Sequence, residues 1–474
     1  AQPVILTGGG DQLLDLPAGA TGSLDLTVRD GDGAAIPARV VVRADGDRRI
    51  EYAGADGRLN LALPPGDYTV DVSRGMEYTA FTVDPLTIDA GETNSVAATL
   101  ERVVDTAGWI AVDTHLHSEM STDSQITLDA RLLAVAAEGV EVPISTDHDF
   151  VTDYDPVVAE LGLADFVAPQ IGVETSHIIW GHVNAWPLVA DYDRAAGHAI
   201  PWYERSPGQV FDLMRERGDH VVVQLNHPRD GSSALFDRID LNPATLIPGA
   251  DPADLDLPDD TDLADFDFDA LEIANDFNQD AFDTGLRDWL ALVASGHPAV
   301  ATGSSDSHGR SAYAGNSRTY VYVGAGADDV TTITGEAVNE ALRAGKAVVA
   351  QGAFVTAAIV APGGGPLAPG ATAELDGESE ATLAIRVQAP PWMPLARIVV
   401  YNGTEVATTV GLDSGDTAVV RYDDSVTVPI AAADGFFVVL VEAAGPGSPV
   451  LGTPSGSFTN ALLYDGDGDG LYQP

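Results

Sequence analysis

Asp113-Thr-His-Leu-His117, followed by Asp123 and then by Thr146-Asp-His148, is the stretch on which the reading of this chain turns. In an extended strand, residues i and i+2 project to the same side, so His115 and His117 can grip one ion together. The residues just before the motif, Trp109-Ile-Ala-Val112, form the short apolar run expected of a buried parallel strand. A second such run, 142–146, leads into Asp147 and His148, and 127–138 between them reads as a helix. Strand, helix, strand, with metal-binding side chains at each strand end, is the layout of an α/β barrel site.

The pattern continues downstream. The candidate strands are 109–112, 142–146, 167–173, 182–187, 221–226, 270–274 and 299–303. Glu174 follows the third and His182 lies on the fourth. His227 follows the fifth, with Pro228 and Arg229 behind it, and Asp306 and His308 follow the seventh with the same i, i+2 spacing. Strand 270–274 offers the least convincing ligand. His177, His198, His220 and His297 read as ordinary, although His177 lies close enough to Glu174 to reach the site and is carried as a catalytic candidate. No serine-centred triad is evident.

Composition narrows the rest. A chain of 474 residues can hold two or three cores. Its 49 glycines and 29 prolines are dispersed through a sequence that is 45% hydrophobic, as in globular proteins. The formal net charge is −49, with 72 acidic residues and a single lysine, Lys346. Such a field repels nucleic acid and anionic membranes and draws cations. It fits solubility, a salty medium or metal capture. The absence of cysteine removes disulfides, thiolate metal sites and cysteine nucleophiles. No apolar run approaches the length of a membrane span. The chain begins at Ala1 rather than Met, and the style of its first domain favours export with a signal peptide removed.

Residues 1–104 read as all-β, with strands 24–28, 38–43, 59–63, 68–72 and 78–83. Turn signals separate them: Asp30-Gly-Asp-Gly33, Asp45-Gly46, Asp56-Gly57 and Pro64-Pro-Gly66. The run Gly57-Arg-Leu59, then Pro64-Pro-Gly-Asp-Tyr-Thr-Val70, resembles the small carboxypeptidase-regulatory or transthyretin-like sandwich. Residues 105–355 alternate strands with helices 127–138, 209–217, 284–295 and 336–344. Gly218, Gly296 and Gly345 close the last three as C-terminal caps. The acidic stretch 251–269 reads as a solvated loop, either a mobile lid or an insertion without a role. Residues 356–474 return to β, with strands 383–387, 398–401, 419–422 and 437–441, and end in an Asp-Gly repeat. Its Asp465, Asp467 and Asp469 suit a calcium loop, because alternate oxygens can converge on one hard cation. A plain acidic turn is the other reading, since no glutamate follows at the spacing of a complete EF-hand loop.

Six ordered motifs carry a family resemblance. Asp113-Thr-His-Leu-His117, Ser145-Thr-Asp-His-Asp149, Gly172-Val-Glu-Thr175, Gly181-His-Val-Asn184, Asn226-His-Pro-Arg229 and Ser304-Ser-Asp-Ser-His308 resemble the motif set of the PHP (polymerase and histidinol phosphatase) superfamily. Ala341-Leu-Arg-Ala-Gly-Lys346, Gly352-Ala-Phe-Val355 and Pro390-Pro-Trp-Met393 are similar to its CehA/McbA-type metallohydrolases, named for carbaryl hydrolases. The likeness covers 105–474. It implies an α/β fold, a distorted seven-stranded (β/α) barrel flanked by N- and C-terminal β-sandwich domains, with two to three divalent ions of zinc, manganese or iron. Carried over residue by residue, the first ion takes His115, His117, Glu174 and Asp306. The second shares Glu174 and adds His182 and His227, and the third takes Asp123, His148 and His308. Asp123 stands where histidinol-phosphatase-type members have histidine, and a carboxylate there favours manganese or iron over zinc alone.

The implied chemistry is ester hydrolysis by a metal-bridging hydroxide, with no protein nucleophile. Arg229 and Arg310 follow ligand motifs and either stabilise developing negative charge or serve as salt-bridging arginines. Asp147 is expected to orient a ligand histidine from behind. The superfamily points to phosphate esters, and the net charge favours di- and triesters over monoesters. The sub-type points to carbamates or carboxylic esters. A non-catalytic exported binding protein is a third reading, which the full set of nine ligands opposes. The expected partner is therefore a small-molecule ester.

Overall fold

The structure, a computed structural model, describes residues 21–361 and 365–474, so residues 1–20 of the expected N-terminal β domain lie outside it. From Gly22–Asp30 to Thr93–Leu100, seven strands form a three-stranded and a four-stranded sheet. Strand Gly22–Asp30 alternates buried and half-buried positions and directs Leu24, Leu26 and Val28 into the core between the sheets. Asp45 and Gly46, at φ of 50° and 85°, turn Ala38–Ala44 back into Asp47–Ala53, a strand too polar to be evident in the sequence. Its Ile50 and Tyr52 pack instead on helix Leu128–Ala137, alongside Leu132 and Val135.

The central strands do not close into one seven-stranded ring. Gln170–Ile171, Val142–Ser145, Trp109–Asp113, Arg318–Tyr322 and Ala347–Ala350 lie side by side in one sheet. Val173–His177, Gly181–Trp186, Val222–Leu225, Ala270–Asn275 and Val300–Ser304 form another. The expected strand 167–173 breaks at Gly172, where the chain passes from the first sheet to the second. A Cβ there would lie 2.9 Å from the Ala185 carbonyl oxygen and 3.0 Å from that of Ser145. At the other edge Thr319 stitches the two sheets together. Its Oγ1 accepts from the Gly303 N–H and donates to the Gly303 carbonyl, both at 3.0 Å. Gly181–Trp186 runs antiparallel to both its neighbours. Its first residues, including His182, therefore lie at the end of the sheet where the parallel strands finish.

Helix Leu128–Ala137 is capped by Thr127, Pro207–Arg215 by a Ser206/Gln209 capping box, and Gln279–Ala294 by Asn278. Gly296 and Gly345 take the left-handed φ expected of closing glycines, 81° and 70°. Gly218 does not, and its N–H simply meets the Arg215 carbonyl at 3.3 Å. The expected loop 251–269 is neither a lid nor an idle insertion. Leu255, Leu257, Leu263 and Phe268 are buried in the main core, and Arg215 holds Asp267 and Asp269. Because Asp269 leads into Ala270–Asn275, this segment sits at the opposite end of the strand from the ligands.

Beyond 355, Phe354–Val360, Glu380–Gln388 and Val420–Pro429 pair in one sheet, which faces a second across a core of Val355, Leu383, Ile385, Val400 and Val439. That second sheet is continuous with the central one, since Ala347–Ala350 pairs with Ser457–Thr459 and this with Gly435–Ala443. No helix among the described residues is long and apolar enough to cross a membrane.

Candidate metal centre

Glu174 lies at the middle of the site, fully buried, with five histidine rings around its carboxylate. Its Oε1 is 3.0 Å from His182 Nδ1, 3.2 Å from His115 Nε2 and 3.6 Å from His227 Nε2. Its Oε2 is 2.7 Å from His148 Nδ1 and 3.5 Å from His117 Nε2. Asp306 Oδ1 lies 2.9 Å from His117 Nε2 and 3.2 Å from His115 Nε2. Half-exposed Asp123 faces His148 Nε2 at 3.1 Å and His308 Nε2 at 3.2 Å. All nine residues singled out in the sequence as ligands therefore come together. Their grouping differs in detail from the expected one: His117 also joins Asp123, His148 and His308, and His148 rather than His227 completes a group with Glu174 and His182.

Hydrogen bonding fixes which way the rings face. His115 Nδ1 meets Glu272 Oε1 at 3.1 Å, and His117 Nδ1 meets Ser121 Oγ at 2.8 Å while that hydroxyl donates to Asp147. Both rings therefore carry the proton on Nδ1 and turn Nε2 inward. Inside, His115 Nε2, His117 Nε2, Glu174 Oε2 and Asp306 Oδ1 are buried without a hydrogen-bond partner. Unpartnered buried polar atoms are costly, and lone pairs facing carboxylates repel unless a cation lies between them. Burial alone would lower the affinity of the His115 ring for a proton. The Asp306, Glu174 and Glu272 carboxylates outweigh it and hold the imidazole well above its ordinary range. His148 is likewise pushed up to about 9 by Glu174 and Asp123 against burial. The cluster demands positive charge, and its nitrogen and oxygen donor set fits divalent ions.

The supporting residues were mostly not legible. Glu272, on the strand with the least convincing expected ligand, is fully buried. It accepts from His115, from the His227 N–H at 2.7 Å, from Asn275 at 3.0 Å and from Ser304. Its one sequence signal is an acid in the middle of an apolar strand, Ala270-Leu-Glu-Ile-Ala274, which demands a partner. Asp147 touches no ligand ring itself and reaches the histidines through Ser121. It accepts from Ser118 and Ser121, and Ser121 carries the contact to His117 and to the His148 N–H at 3.0 Å. Arg131 clamps the His117 carbonyl and Ser307, and Asp113 ties Ser305 and Gly315 to the first motif. Asp306 and His227 hold left-handed φ of 45° and 27°, strain of the kind that concentrates at functional sites.

The other candidates have partners of their own. Arg229 is spent: its guanidinium bonds Asp288 at 2.6 Å, Asp237 at 3.2 Å and the Phe236 and Leu241 carbonyls. It is a salt-bridging arginine. Arg310 reaches away to Glu51 of the N-terminal domain at 2.9 Å. His177 takes the ordinary of its two expected roles at Nδ1, that of a structural ring. Its Nδ1 accepts the Ile179 and Trp180 N–H groups, it stacks on Trp180, and burial pulls its pKa down to about 4. In the Asp-Gly repeat, Asp465 accepts the Gly468 and Gly470 N–H groups, and Asp467 and Asp469 accept those of Asp469 and Leu471. This is the form of an acidic turn.

No protein-family model matches this chain, and no curated protein does. Among solved structures it is similar to a two-domain protein from Bacteroides vulgatus containing a predicted PHP-like metal-dependent phosphoesterase. The identity is 14% over 76% of this chain and 96% of that one, with a TM-score of 0.35. Smaller parts are similar to a putative adhesin from Bacteroides ovatus (18% identity, 25% of this chain and 55% of that one, TM-score 0.16). A part is also similar to a minor pilin of Streptococcus agalactiae (22% identity, 18% of this chain and 46% of that one, TM-score 0.15). Overlays this loose say nothing about chemistry, which rests on the geometry above.

Proposed function

We propose that this chain is a metal-dependent hydrolase of phosphate esters. Its two to three divalent ions (zinc, manganese or iron) would be held by His115, His117, Asp123, His148, Glu174, His182, His227, Asp306 and His308. The observation that carries the reading is the set of four buried, inward-facing ligand atoms without hydrogen-bond partners. When bound, such ions polarise the ester oxygen and lower the pKa of a coordinated water. The chain's own part is to present Glu174 with one oxygen toward each half of the cluster. Glu272 and Ser121 hold His115 and His117 in the ligating tautomer, a role whose loss typically costs about 10–100-fold in metal affinity or activity.

Di- and triesters are favoured over monoesters because a field of −49 opposes the approach of a doubly charged group. Carbamates and carboxylic esters are the alternative substrates. The test is elemental analysis of the protein together with chromogenic phosphate, carbamate and carboxylic esters assayed with and without chelator. Bound metal and chelator-sensitive cleavage of a phosphodi- or triester are expected. Protein that retains no zinc, manganese or iron after reconstitution overturns the reading. Faster turnover of a carbamate than of any phosphate ester moves it to the alternative.

A further inference from the structure

Two of the ligands, Asp306 and His308, sit on the loop that joins strand Val300–Ser304 to strand Arg318–Tyr322. The barrel itself holds the inner part of that loop. Arg131 donates to the Ser307 hydroxyl at 2.9 Å and to its carbonyl at 2.6 Å, and Ser124 donates to the His308 carbonyl at 2.9 Å. The outer part, from Arg310 to Tyr313, is held from the N-terminal β domain. Arg310 donates to Glu51 at 2.9 Å and to the Ile50 carbonyl at 3.4 Å. Tyr313 lies against two guanidinium groups of that domain, Arg39 at 3.6 Å and Arg48 at 5.0 Å from the ring centroid. The Tyr313 hydroxyl is buried without a hydrogen-bond partner among the described residues, so the ring is held by its face and its packing rather than by its oxygen. Ser307, between the two ligands in sequence, joins the parts by donating to the Ala312 carbonyl.

Arg39 is the fixed point of this contact. It is fully buried, pairs with Glu138 at 2.6 Å and donates to the Val450 carbonyl at 2.6 Å. Glu138 is the C-cap of helix Leu128–Ala137, which carries Arg131. A second arginine of the N-terminal domain, Arg74, donates to the Ala136 carbonyl in the last turn of that helix, which has no basic residue of its own. A cation suits that end of a helix. The domain therefore reaches both supports of the ligand loop. Docking alone does not require this. Elsewhere in the interface Glu77 accepts from the Tyr320 hydroxyl at 2.8 Å, and Trp392 donates to the Tyr78 carbonyl at 2.8 Å, contacts that do not involve the loop.

From this geometry we propose that the N-terminal β domain is a positioning element of the metal centre. Arg39, acting through Tyr313, holds the loop in the form that brings His308 to Asp123. The half of the centre made by Asp123, His148 and His308 thus depends on a domain that supplies no ligand. This half is also the open one: the Asp123 and His308 side chains are 50% and 32% exposed, whereas those of His115 and Glu174 are fully buried. Packing does least for it, and an outside support matters most there. The inference rests on the metal-dependent reading above and adds to it a role for residues beyond the barrel.

The test compares Tyr313→Leu with Tyr313→Phe in the full chain. Phenylalanine keeps the ring face and loses only an oxygen without a partner, so it should behave as wild type. Leucine removes the face. It should weaken the most loosely held zinc or manganese ion about tenfold in competition with a chromophoric chelator, the scale of a desolvated cation–π contact. Arg310→Ala, which breaks a more exposed pair, should act in the same direction by no more than about fivefold, and serves if Tyr313→Leu folds poorly. Leu26→Ala, a cavity in the core of the N-terminal sandwich, should lower the melting temperature without changing ion affinity. That control separates positioning from general loss of stability. A second readout needs no metal: amide hydrogen exchange across 305–317 in the metal-free chain should be faster in Tyr313→Leu than in wild type or Tyr313→Phe. Wild-type ion affinity in Tyr313→Leu, or an equal loss in Leu26→Ala or Tyr313→Phe, overturns the inference. If the wild-type chain binds no metal, the hydrolase reading fails, and unchanged hydrogen exchange in Tyr313→Leu overturns the hold on the loop separately.

Discussion

Two acid-rich regions of this molecule look alike in composition and differ in what their oxygens do. Around Glu174, carboxylates and imidazoles converge with lone pairs left over, and the fold has buried them there. In the Asp465–Asp469 repeat, each aspartate turns at least one oxygen onto an N–H group of its own loop. Local Asx-type turns and solvent satisfy the second region, whereas only a cation satisfies the first. Counting acids would rank the two together. Asking which polar atoms remain unpaired separates them.

The strongest way to break that comparison is Glu174→Gln. A neutral amide cannot sit among five imidazoles and offset the repulsion of neighbouring ions, so the loss should exceed one ion per chain. Turnover should fall by at least about 10²–10³, the scale seen when one preorganised electrostatic group is removed. Unchanged metal stoichiometry by elemental analysis would show that Glu174 bridges nothing. Chelation should act in the same direction on stability. A ligand that binds only the folded state at about 100 times its Kd contributes about 2.7 kcal/mol, so the melting temperature should drop with chelator and return with zinc or manganese.

A smaller effect sharpens the account of why the rings face inward. Glu272→Ala and Ser121→Ala remove the partners of His115 and His117 Nδ1 without touching an inward-facing atom. Each should weaken metal binding or activity by about 10–100-fold, measured as metal retained against a competing chelator. Retention equal to wild type would mean that the rings need no such support.

The ligands were legible in the sequence for a physical reason. All but Asp123 lie at or just beyond a strand end, and i, i+2 spacing survives any rearrangement of the sheets around it. The ring of seven strands was not, because sheet closure depends on where Gly172 lets the chain change sheets and on Thr319 at the other edge. Neither residue has a periodic signature. Glu272 was missed because a strand interior reads as packing, and the Asp47–Ala53 strand because its buried face meets a helix rather than a second sheet. Arg229 and His177 were left between two readings because proximity in sequence to a ligand says nothing about a partner such as Asp288 or the Trp180 N–H, which only folding supplies.

His177 belongs with the satisfied atoms, and its titration tests that placement. Its folded pKa of about 4 lies below the roughly 6.5 of an unfolded histidine. The unfolded chain therefore takes the proton first. The ring's contribution is full above about pH 6.5 and is lost as pH falls toward about 4. His177→Asn keeps an acceptor for the Ile179 and Trp180 N–H groups but cannot titrate, so urea midpoints should decline less steeply than wild type across that window. Parallel curves would place the His177 proton elsewhere.

The smallest expected effect lies in the repeat itself. Asp467 and Asp469 are exposed, and one oxygen of each already accepts an N–H group two residues on. A cation would have to compete with those turns and with water for carboxylates that nothing buries. Asp467→Asn together with Asp469→Asn should therefore leave the metal stoichiometry of the chain unchanged. Asparagine also keeps an oxygen for each turn, so the melting temperature should stay close to wild type with or without millimolar calcium. The informative comparison is the wild-type chain with and without calcium, set beside the same pair for the double variant. A calcium-dependent rise in melting temperature that disappears in the variant would show that these turns open for an ion. Satisfied hydrogen bonds would then no longer be enough to tell an idle acidic loop from a site.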